Sequence, residues 1–167
     1  MRTDVKRRGW TISAEGNDLA DRFLESVFFT GNGRMGARGY PAYRPIRRPL
    51  DAGLFLAGFY DRISDSTELT DFVNLPTPIW YQIRLNGRIP AIPSHLSRAL
   101  DLRTGLLTFR YRLSIADDWV DVQNSVFSPW PSLAFCSSGL NSRAAGRWSF
   151  WPGSTTRAAT ALSQTIR

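Results

Sequence analysis

The stretch Leu106-Leu107-Thr108-Phe109-Arg110-Tyr111-Arg112-Leu113 alternates apolar and polar side chains from position 107 to 113. In an extended chain, successive side chains point to opposite faces. The apolar residues therefore share one face, while Thr108, Arg110 and Arg112 occupy the other. Thr104-Gly105 stands just before the stretch and favours a turn. The pattern predicts a β-strand with one face buried and the other in water.

Two further segments have the same period of two. Pro78-Ile79-Trp80-Tyr81-Gln82-Ile83-Arg84-Leu85 alternates in this way and is followed by Asn86-Gly87. Asn-Gly is among the strongest signals for a hairpin turn, because both residues tolerate a positive φ. In residues 119–127, Val120 and Val122 alternate with polar neighbours. Both segments are predicted to be strands.

Shorter apolar segments fill the first third of the chain. Ser26-Val27-Phe28-Phe29-Thr30 and Leu54-Phe55-Leu56-Ala57-Gly58-Phe59 are predicted to be short, largely buried strands, and residues 17–27 could hold a short helical turn. Ten prolines and 13 glycines punctuate the whole chain. Many short strands separated by turn signals favour an all-β fold, an antiparallel β-sandwich, over a βαβ unit.

Length and composition exclude several classes of protein. A chain with 43% hydrophobic residues does not have the composition of a disordered protein. With 167 residues, it is expected to form one domain. A single cysteine, Cys136, and a single histidine, His95, exclude an intrachain disulfide and the usual zinc sites. No apolar run approaches the roughly 20 residues of a membrane helix, and none follows the basic N-terminus as in a secretory signal. A cytoplasmic protein without a membrane partner is expected.

The net charge of +7 is unevenly distributed. Residues 1–121 hold 17 basic and 14 acidic residues, whereas residues 122–167 hold four arginines and no acid. All basic residues except Lys6 are arginines, which indicates a compositional bias rather than a phosphate-binding face. We predict a basic N-terminal arm over residues 1–9, a β-sandwich over 10–136 and an irregular Arg/Ser/Ala-rich tail over 137–167.

The segment Gly31-Asn32-Gly33-Arg34-Met35-Gly36 fits the G-x-G-x-x-G pattern of dinucleotide-binding loops. Such a loop requires a helix that starts at the third glycine and directs its amides at the pyrophosphate. Here Gly39, Pro41 and Pro45 follow, and no helix can run through them. The segment is therefore predicted to be a tightly packed connection between strands.

Acidic residues at Asp117, Asp118 and Asp121 have the D-D-x-x-D spacing of magnesium-diphosphate sites. On a strand Asp118 would face away from the other two, so a turn that leads into a strand is favoured. His95 follows Pro93-Ser94 in a predicted turn and is assigned a structural role, and Cys136 is expected to be a small buried hydrophobe.

A basic and aromatic cluster lies within residues 40–48. The cluster comprises Tyr40, Tyr43, Arg44, Arg47 and Arg48 and could contact a phosphate backbone. Prolines interrupt this segment, so a solvated loop is the favoured interpretation and no nucleic-acid partner is expected.

Several segments, taken in order, resemble the N-terminal domain of glycoside hydrolase family 65, which includes the maltose, trehalose and kojibiose phosphorylases and related trehalose hydrolases. They are Trp10, residues 25–39, Ala57-Gly58-Phe59-Tyr60-Asp61, Phe72-Val73-Asn74-Leu75-Pro76 and residues 98–107. The resemblance covers roughly residues 10–135. It implies an antiparallel sandwich of the galactose-mutarotase-like kind, followed in the family by a catalytic (α/α)6 barrel.

The resemblance also implies a function. Family members cleave α-linked disaccharides with phosphate or water and need no metal or organic cofactor. Their general acid and phosphate-binding residues lie in the barrel, so no catalytic, cofactor-binding or metal residue is assigned to this chain. We expect a sandwich that is incomplete at its C-terminus, inactive alone, and partnered by the barrel. A homodimer of the intact enzyme and a disaccharide ligand are further candidates.

Two alternatives come from other classes of protein. A stand-alone carbohydrate-binding β-sandwich would stack Trp80, Trp119 or Trp130 on sugar rings. An arginine-driven nucleic-acid binder would lose affinity steeply with added salt.

Overall fold

The computed structural model describes residues 4–16, 22–41, 53–62, 70–75, 81–85, 88–91, 93, 95–128, 136–138, 144–145 and 148–152. The strands are β1 (Val5–Arg8), β2 (Thr11–Gly16), β3 (Thr30–Gly31), β4 (Met35–Ala37), β5 (Leu54–Leu56), β6 (Tyr60–Arg62), β7 (Thr70–Phe72), β8 (Tyr81–Leu85), β9 (Leu96–Asp101), β10 (Leu106–Ile115), β11 (Asp118–Phe127), β12 (Cys136–Ser138), β13 (Ala144–Ala145) and β14 (Trp148–Pro152). One helix, α1 (Arg22–Val27), lies between β2 and β3. The predicted all-β, antiparallel fold class is confirmed.

A large antiparallel sheet forms one layer. Its strand order is β1-β2-β9-β10-β11-β12, and β13 also pairs with β11. The long hairpin of β10 and β11 lies at its centre, with Leu113 opposite Val120, Tyr111 opposite Val122 and Leu107 opposite Val126. All six side chains are at most 5% exposed, so the alternation predicted from the sequence is confirmed for both strands.

A small antiparallel sheet of β3, β4 and β5 forms the opposing layer. Met35 pairs with Leu56 and Ala37 with Leu54, so these four side chains share one face, and Gly36 and Phe55 share the other. Met35, Ala37 and Leu54 belong to the same buried core as the inner face of the large sheet, and Leu56 packs against it. The two layers therefore bury one common core.

Specific contacts fix the small sheet relative to the large one. Thr30, which is 3% exposed, donates a hydrogen bond from Oγ1 to the carbonyl oxygen of Gly105 in the β9–β10 turn at 2.7 Å. The amide of Gly39 donates to the carbonyl oxygen of Glu25 in α1 at 2.8 Å. Leu24 and the fully buried Phe28 extend the core from the α1 region.

Two strand pairs lie outside these sheets. β6 pairs with β7, and β8 pairs with β14, both in antiparallel fashion. The β6–β7 ribbon continues to the small sheet, since the amide of Leu75 donates to the carbonyl oxygen of Leu54 at 2.9 Å. This places the ribbon beside β5.

The prediction of a strand over Ser26-Val27-Phe28-Phe29-Thr30 is wrong. α1 extends to Val27, and the amide of Phe28 donates to the carbonyl oxygen of Leu24 at 3.0 Å, so β3 starts only at Thr30. Phe28 and Leu24 lie four residues apart, on the buried side of a helical turn. This tertiary burial outweighs the preference of Val and Phe for strands. The short helical turn predicted within residues 17–27 is present.

The described parts of the two chain ends are also in strands. β1 pairs along its whole length with β2, although residues 1–9 were expected to be an arm. In residues 137–167, β13 pairs with β11, and β14 pairs with β8. The Trp-Ser-Phe-Trp run of β14 has the aromatic content that favours strands. The boundaries of the predicted domains stay a prediction.

Candidate functional site

The glycine-rich segment folds as the hairpin between β3 and β4. Asn32 Oδ1 accepts hydrogen bonds from the amides of Arg34 and Met35, each at 3.0 Å. The amide of Asn32 in turn donates to the carbonyl oxygen of Met35 at 3.0 Å, and Gly33 has a φ of 81°. A strand, not a helix, follows the turn. The interpretation as a connection between strands is therefore confirmed, and the dinucleotide loop is excluded.

Close packing explains two of the glycines. A Cβ at Gly31 would lie 2.6 Å from the carbonyl oxygen of Met35, and a Cβ at Gly36 would overlap the ring of Phe29. The bare backbone of Gly36 thus lets the Phe29 ring lie directly on the outer side of the small sheet. The hairpin supplies a flat surface for an aromatic side chain.

Further aromatic rings continue from this surface. The centroids of Phe29 and Phe55 are 6.4 Å apart, those of Phe55 and Phe72 are 6.0 Å apart, and those of Phe72 and Tyr60 are 4.9 Å apart. Ring pairs at such distances attract one another beyond their simple area of contact. We call the surface formed by these four residues and the hairpin the aromatic groove.

The aromatic groove is open to solvent. Its cavity has a volume of about 390 Å³. Phe29 is 41% exposed, and Tyr60 and Phe72 are each 52% exposed. The cavity is lined by Phe29, Gly31, Gly33, Arg34, Met35, Gly36, Phe55, Leu56, Ala57 and Phe72. The guanidinium carbon of Arg38 lies 5.9 Å from the centre of the Phe55 ring.

The chemistry of the aromatic groove suits contact rather than catalysis. The described residues that line its cavity include no carboxylate, imidazole or thiol, and the phenol of Tyr60 is the one hydroxyl among the four ring residues. Within the described part of the chain, no three His, Cys, Asp or Glu residues come together as metal ligands. Arginine and aromatic rings bind partners by burial, stacking and charge.

The outer face of the large sheet is different in kind. Arg112 Nε and Nη2 donate to Asp121 Oδ1 and Oδ2 at 2.6 and 2.7 Å, and the guanidinium carbon lies 4.3 Å from the Trp119 ring centre. Arg110 donates to Gln123 Oε1 at 2.9 Å, and the hydroxyls of Thr108 and Ser125 are 3.2 Å apart. The hydrogen bond and charge of Asp121 raise the pKa of Arg112 above its ordinary value. We call this surface the polar face.

The predicted acidic turn is confirmed. Ala116, with a φ of 51°, and the exposed Asp117 form the turn between β10 and β11, and Asp118 is the first residue of β11. Asp121 is bound by Arg112 on the polar face.

Other singled-out residues have separate outcomes. His95 is exposed immediately before β9. Cys136 is in β12 opposite Phe127, and the predicted burial of its side chain lies outside what is described. Tyr40 is partly buried. The remaining residues lie outside the described part of the chain: Tyr43, Arg44, Arg47, Arg48, Trp80, Asn86, Gly87 and Trp130.

Sequence reasoning missed a polar row inside the core. Arg98 and Asn124 lie opposite Phe109 on its two sides, and they are 1% and 4% exposed. The alternation of Leu96, Arg98 and Leu100 with smaller residues in β9 is the signal that places Arg98 on the inner face. Trp10 was also missed as an exposed platform, since it is 57% exposed with the Arg103 guanidinium 5.6 Å from its ring centre.

Among the described residues, no helix is long and apolar enough to cross a bilayer.

Comparison with known proteins identifies the family. The chain is 26% identical over 123 residues to trehalose 6-phosphate phosphorylase of Lactococcus lactis subsp. lactis (strain IL1403). That alignment covers 67% of this chain but only 16% of the relative, so the chain spans less than a fifth of the curated relative that it matches. The family model for the N-terminal domain of glycosyl hydrolase family 65 matches residues 14–128, which run from within β2 to just past the end of β11. The chain therefore belongs to the N-terminal domain of glycosyl hydrolase family 65.

Proposed function

We propose that the chain is the non-catalytic N-terminal β-sandwich portion of an enzyme that cleaves α-linked disaccharides by phosphorolysis or hydrolysis. The observation that carries this proposal is the extent of the family match. Residues 14–128 include the long β10–β11 hairpin, the glycine hairpin and the aromatic groove, so the matched segment contains both layers around the common core.

The side-chain chemistry of the two outer faces favours a domain that supports catalysis without performing it. The aromatic groove offers rings and arginine, and the hydrogen-bonded carboxylate of Asp121 on the polar face is bound by Arg112. Hydrolysis of a glycoside needs two carboxyl groups placed across the scissile bond, at roughly 5–10 Å from one another, whereas phosphorolysis needs a general acid and a bound phosphate as the nucleophile. We infer that a separate catalytic domain, the (α/α)6 barrel implied by the family, supplies them. A cytoplasmic location remains a prediction.

Activity assays on the chain alone and on a fusion test this function. The substrates are trehalose 6-phosphate, maltose, trehalose and kojibiose, each with and without inorganic phosphate. The fusion places residues 1–128 of this chain before the part of the Lactococcus relative that lies outside the matched segment. We expect no turnover by the chain alone and at least about tenfold more turnover by the fusion than by that part of the relative alone.

Two results would reject the proposal. The first is turnover of any of these sugars by the purified chain. The second is a fusion that is no more active and no more stable than the remainder of the relative by itself.

A second candidate function is binding of a disaccharide on the polar face. It is favoured by the position of Trp119, whose ring lies beside Arg112 on a face with further polar side chains, since ligand sites combine aromatic side chains with a few placed polar groups. Titration with maltose or trehalose, followed by tryptophan fluorescence, tests it. A saturable change that Trp119→Ala abolishes and Trp10→Ala retains would support a binding module. No saturable change would exclude it.

A further inference from the structure

We propose that the aromatic groove is the docking surface for the catalytic portion of the same enzyme, and that the docked segment presents apolar side chains flanked by carboxylates. This inference rests on the proposed function and adds to it the location of the interface and the chemistry of the partner.

Exposure distinguishes the aromatic groove from an ordinary surface. Phe29, Tyr60 and Phe72 are 41–52% exposed and are linked through Phe55 into one ring network. Single exposed apolar residues are common on soluble proteins, but a contiguous set marks a surface that contacts another molecule.

The lining of the aromatic groove argues for protein rather than sugar as the occupant. A volume of about 390 Å³ lies within the range of binding pockets. A disaccharide, however, carries a hydroxyl on almost every carbon, and Arg34 is the one charged side chain among the described lining residues. Burying hydroxyls against phenyl rings without hydrogen-bond partners is costly, whereas burying leucine or phenylalanine side chains there is favourable.

Charge restricts the occupant further. Arg34 lines the cavity and is exposed, and Arg38 lies over Phe55 with its side chain partly buried. Asp61 and Asp71 are opposite each other in the β6–β7 ribbon, on the face away from Tyr60 and Phe72. Cations are thus at the groove while the acids of the ribbon point elsewhere. A complementary partner carries carboxylates beside its apolar side chains.

The relative is much longer than the segment that this chain matches. The matched segment covers only 16% of the Lactococcus phosphorylase, so most of that enzyme lies outside it. Interfaces between domains of one chain resemble transient protein–protein interfaces, so a contiguous aromatic surface of this kind fits one. The catalytic portion of the enzyme is therefore the occupant of the aromatic groove in this proposal.

The test uses the same fusion with a cleavable linker between its two parts. Association after cleavage is measured by size-exclusion chromatography with light scattering and by calorimetry. We expect the unmodified parts to stay associated. Phe72→Ser is expected to weaken the association about tenfold or more, since buried aromatic anchors dominate interface energies. Arg34→Glu is expected to weaken it as well, more strongly at low salt than at high salt.

Ile89→Ser is the matched control, because Ile89 is 59% exposed and does not line the groove. We expect it to change the affinity less than about twofold, as for a residue outside the interface. Circular dichroism of each variant during thermal unfolding checks the fold. Arg34→Glu alters an exposed hairpin residue and so provides a second probe if Phe72→Ser fails to fold.

The outcomes separate the two proposals. If the unmodified parts do not associate, the proposed function fails, and this inference fails with it. If they associate and neither Phe72→Ser nor Arg34→Glu weakens them more than Ile89→Ser does, only the inference is overturned. Concentration-dependent dimerisation of the isolated chain that requires Phe72, without binding of the catalytic portion, would overturn it by making a second copy the occupant.

Discussion

The outer faces of the two sheets differ, although their inner faces bury the same core. On the large sheet, Arg112 and Asp121 form a two-pronged ion pair across neighbouring strands, and Arg110 is hydrogen-bonded to Gln123. On the small sheet, Phe55 is opposite Gly36 and lies among partly exposed rings. Antiparallel sheets commonly have one packed and one solvated face. The polar face fits that description, whereas the aromatic groove has the composition of a surface that another molecule covers.

The largest expected effect comes from truncating a side chain in the core that the two sheets share. Phe109→Ala is expected to lower the free energy of unfolding by about 3–5 kcal/mol, because Phe109 is 1% exposed and truncation leaves a cavity. Urea denaturation followed by circular dichroism measures this. Arg110→Ala, at the next position on the polar face, is the control and should have little effect. A loss below about 1 kcal/mol for Phe109→Ala would contradict a common core.

An intermediate effect is expected at the connection between the small sheet and α1. A Cβ at Gly39 would lie 2.6 Å from both Cβ and the carbonyl oxygen of Phe28, which is fully buried. Gly39→Ala is therefore expected to cost about 1–3 kcal/mol in unfolding free energy, as for overpacking. Gly36→Ala meets only the partly exposed Phe29 ring, which can move, so a smaller cost is expected. Equal costs in denaturant titrations would contradict this packing.

The smallest expected effect concerns the ion pair on the polar face. Asp121→Asn should lower stability slightly, since Arg112 loses a charged acceptor at an exposed site. The pKa of Arg112 is raised in the folded state, so its contribution is present at every pH below the ordinary pKa of arginine and is lost only above it. The difference between the parent protein and Asp121→Asn, measured by thermal unfolding, should therefore be constant from about pH 6 to pH 10 and shrink with salt. A difference that grows with salt would contradict the ion pair.

The strands with one buried and one solvated face were the most predictable part of the molecule. Phe109 and Val122 alternate with Arg110 and Gln123, and this period is enough to orient β10 and β11 before any tertiary contact is known. α1 was harder to predict from the sequence, because Phe28 and Phe29 both have a strong preference for strands. Only packing against the common core shows that Phe28 continues a helical turn from Leu24.

The aromatic groove was beyond the reach of sequence patterns. Phe29, Phe55 and Phe72 come from three separate segments, and the first two were predicted to lie in largely buried strands. Their shared location depends on the order of the small sheet and on Gly36, whose missing side chain admits the Phe29 ring. Glycine spacing indicated a tight connection, but it gave no information on which rings would gather there.

Side-chain footprinting with hydroxyl radicals tests most directly whether the two outer faces have different roles. Oxidation rates of Phe29, Tyr60 and Phe72 are compared between the isolated chain and the uncleaved fusion, with Trp10 and Trp119 as internal references. We expect the three groove residues to react several-fold more slowly in the fusion while both tryptophans keep their rates. Unchanged rates at the groove, or protection of Trp119 instead, would contradict a docking role for the aromatic groove.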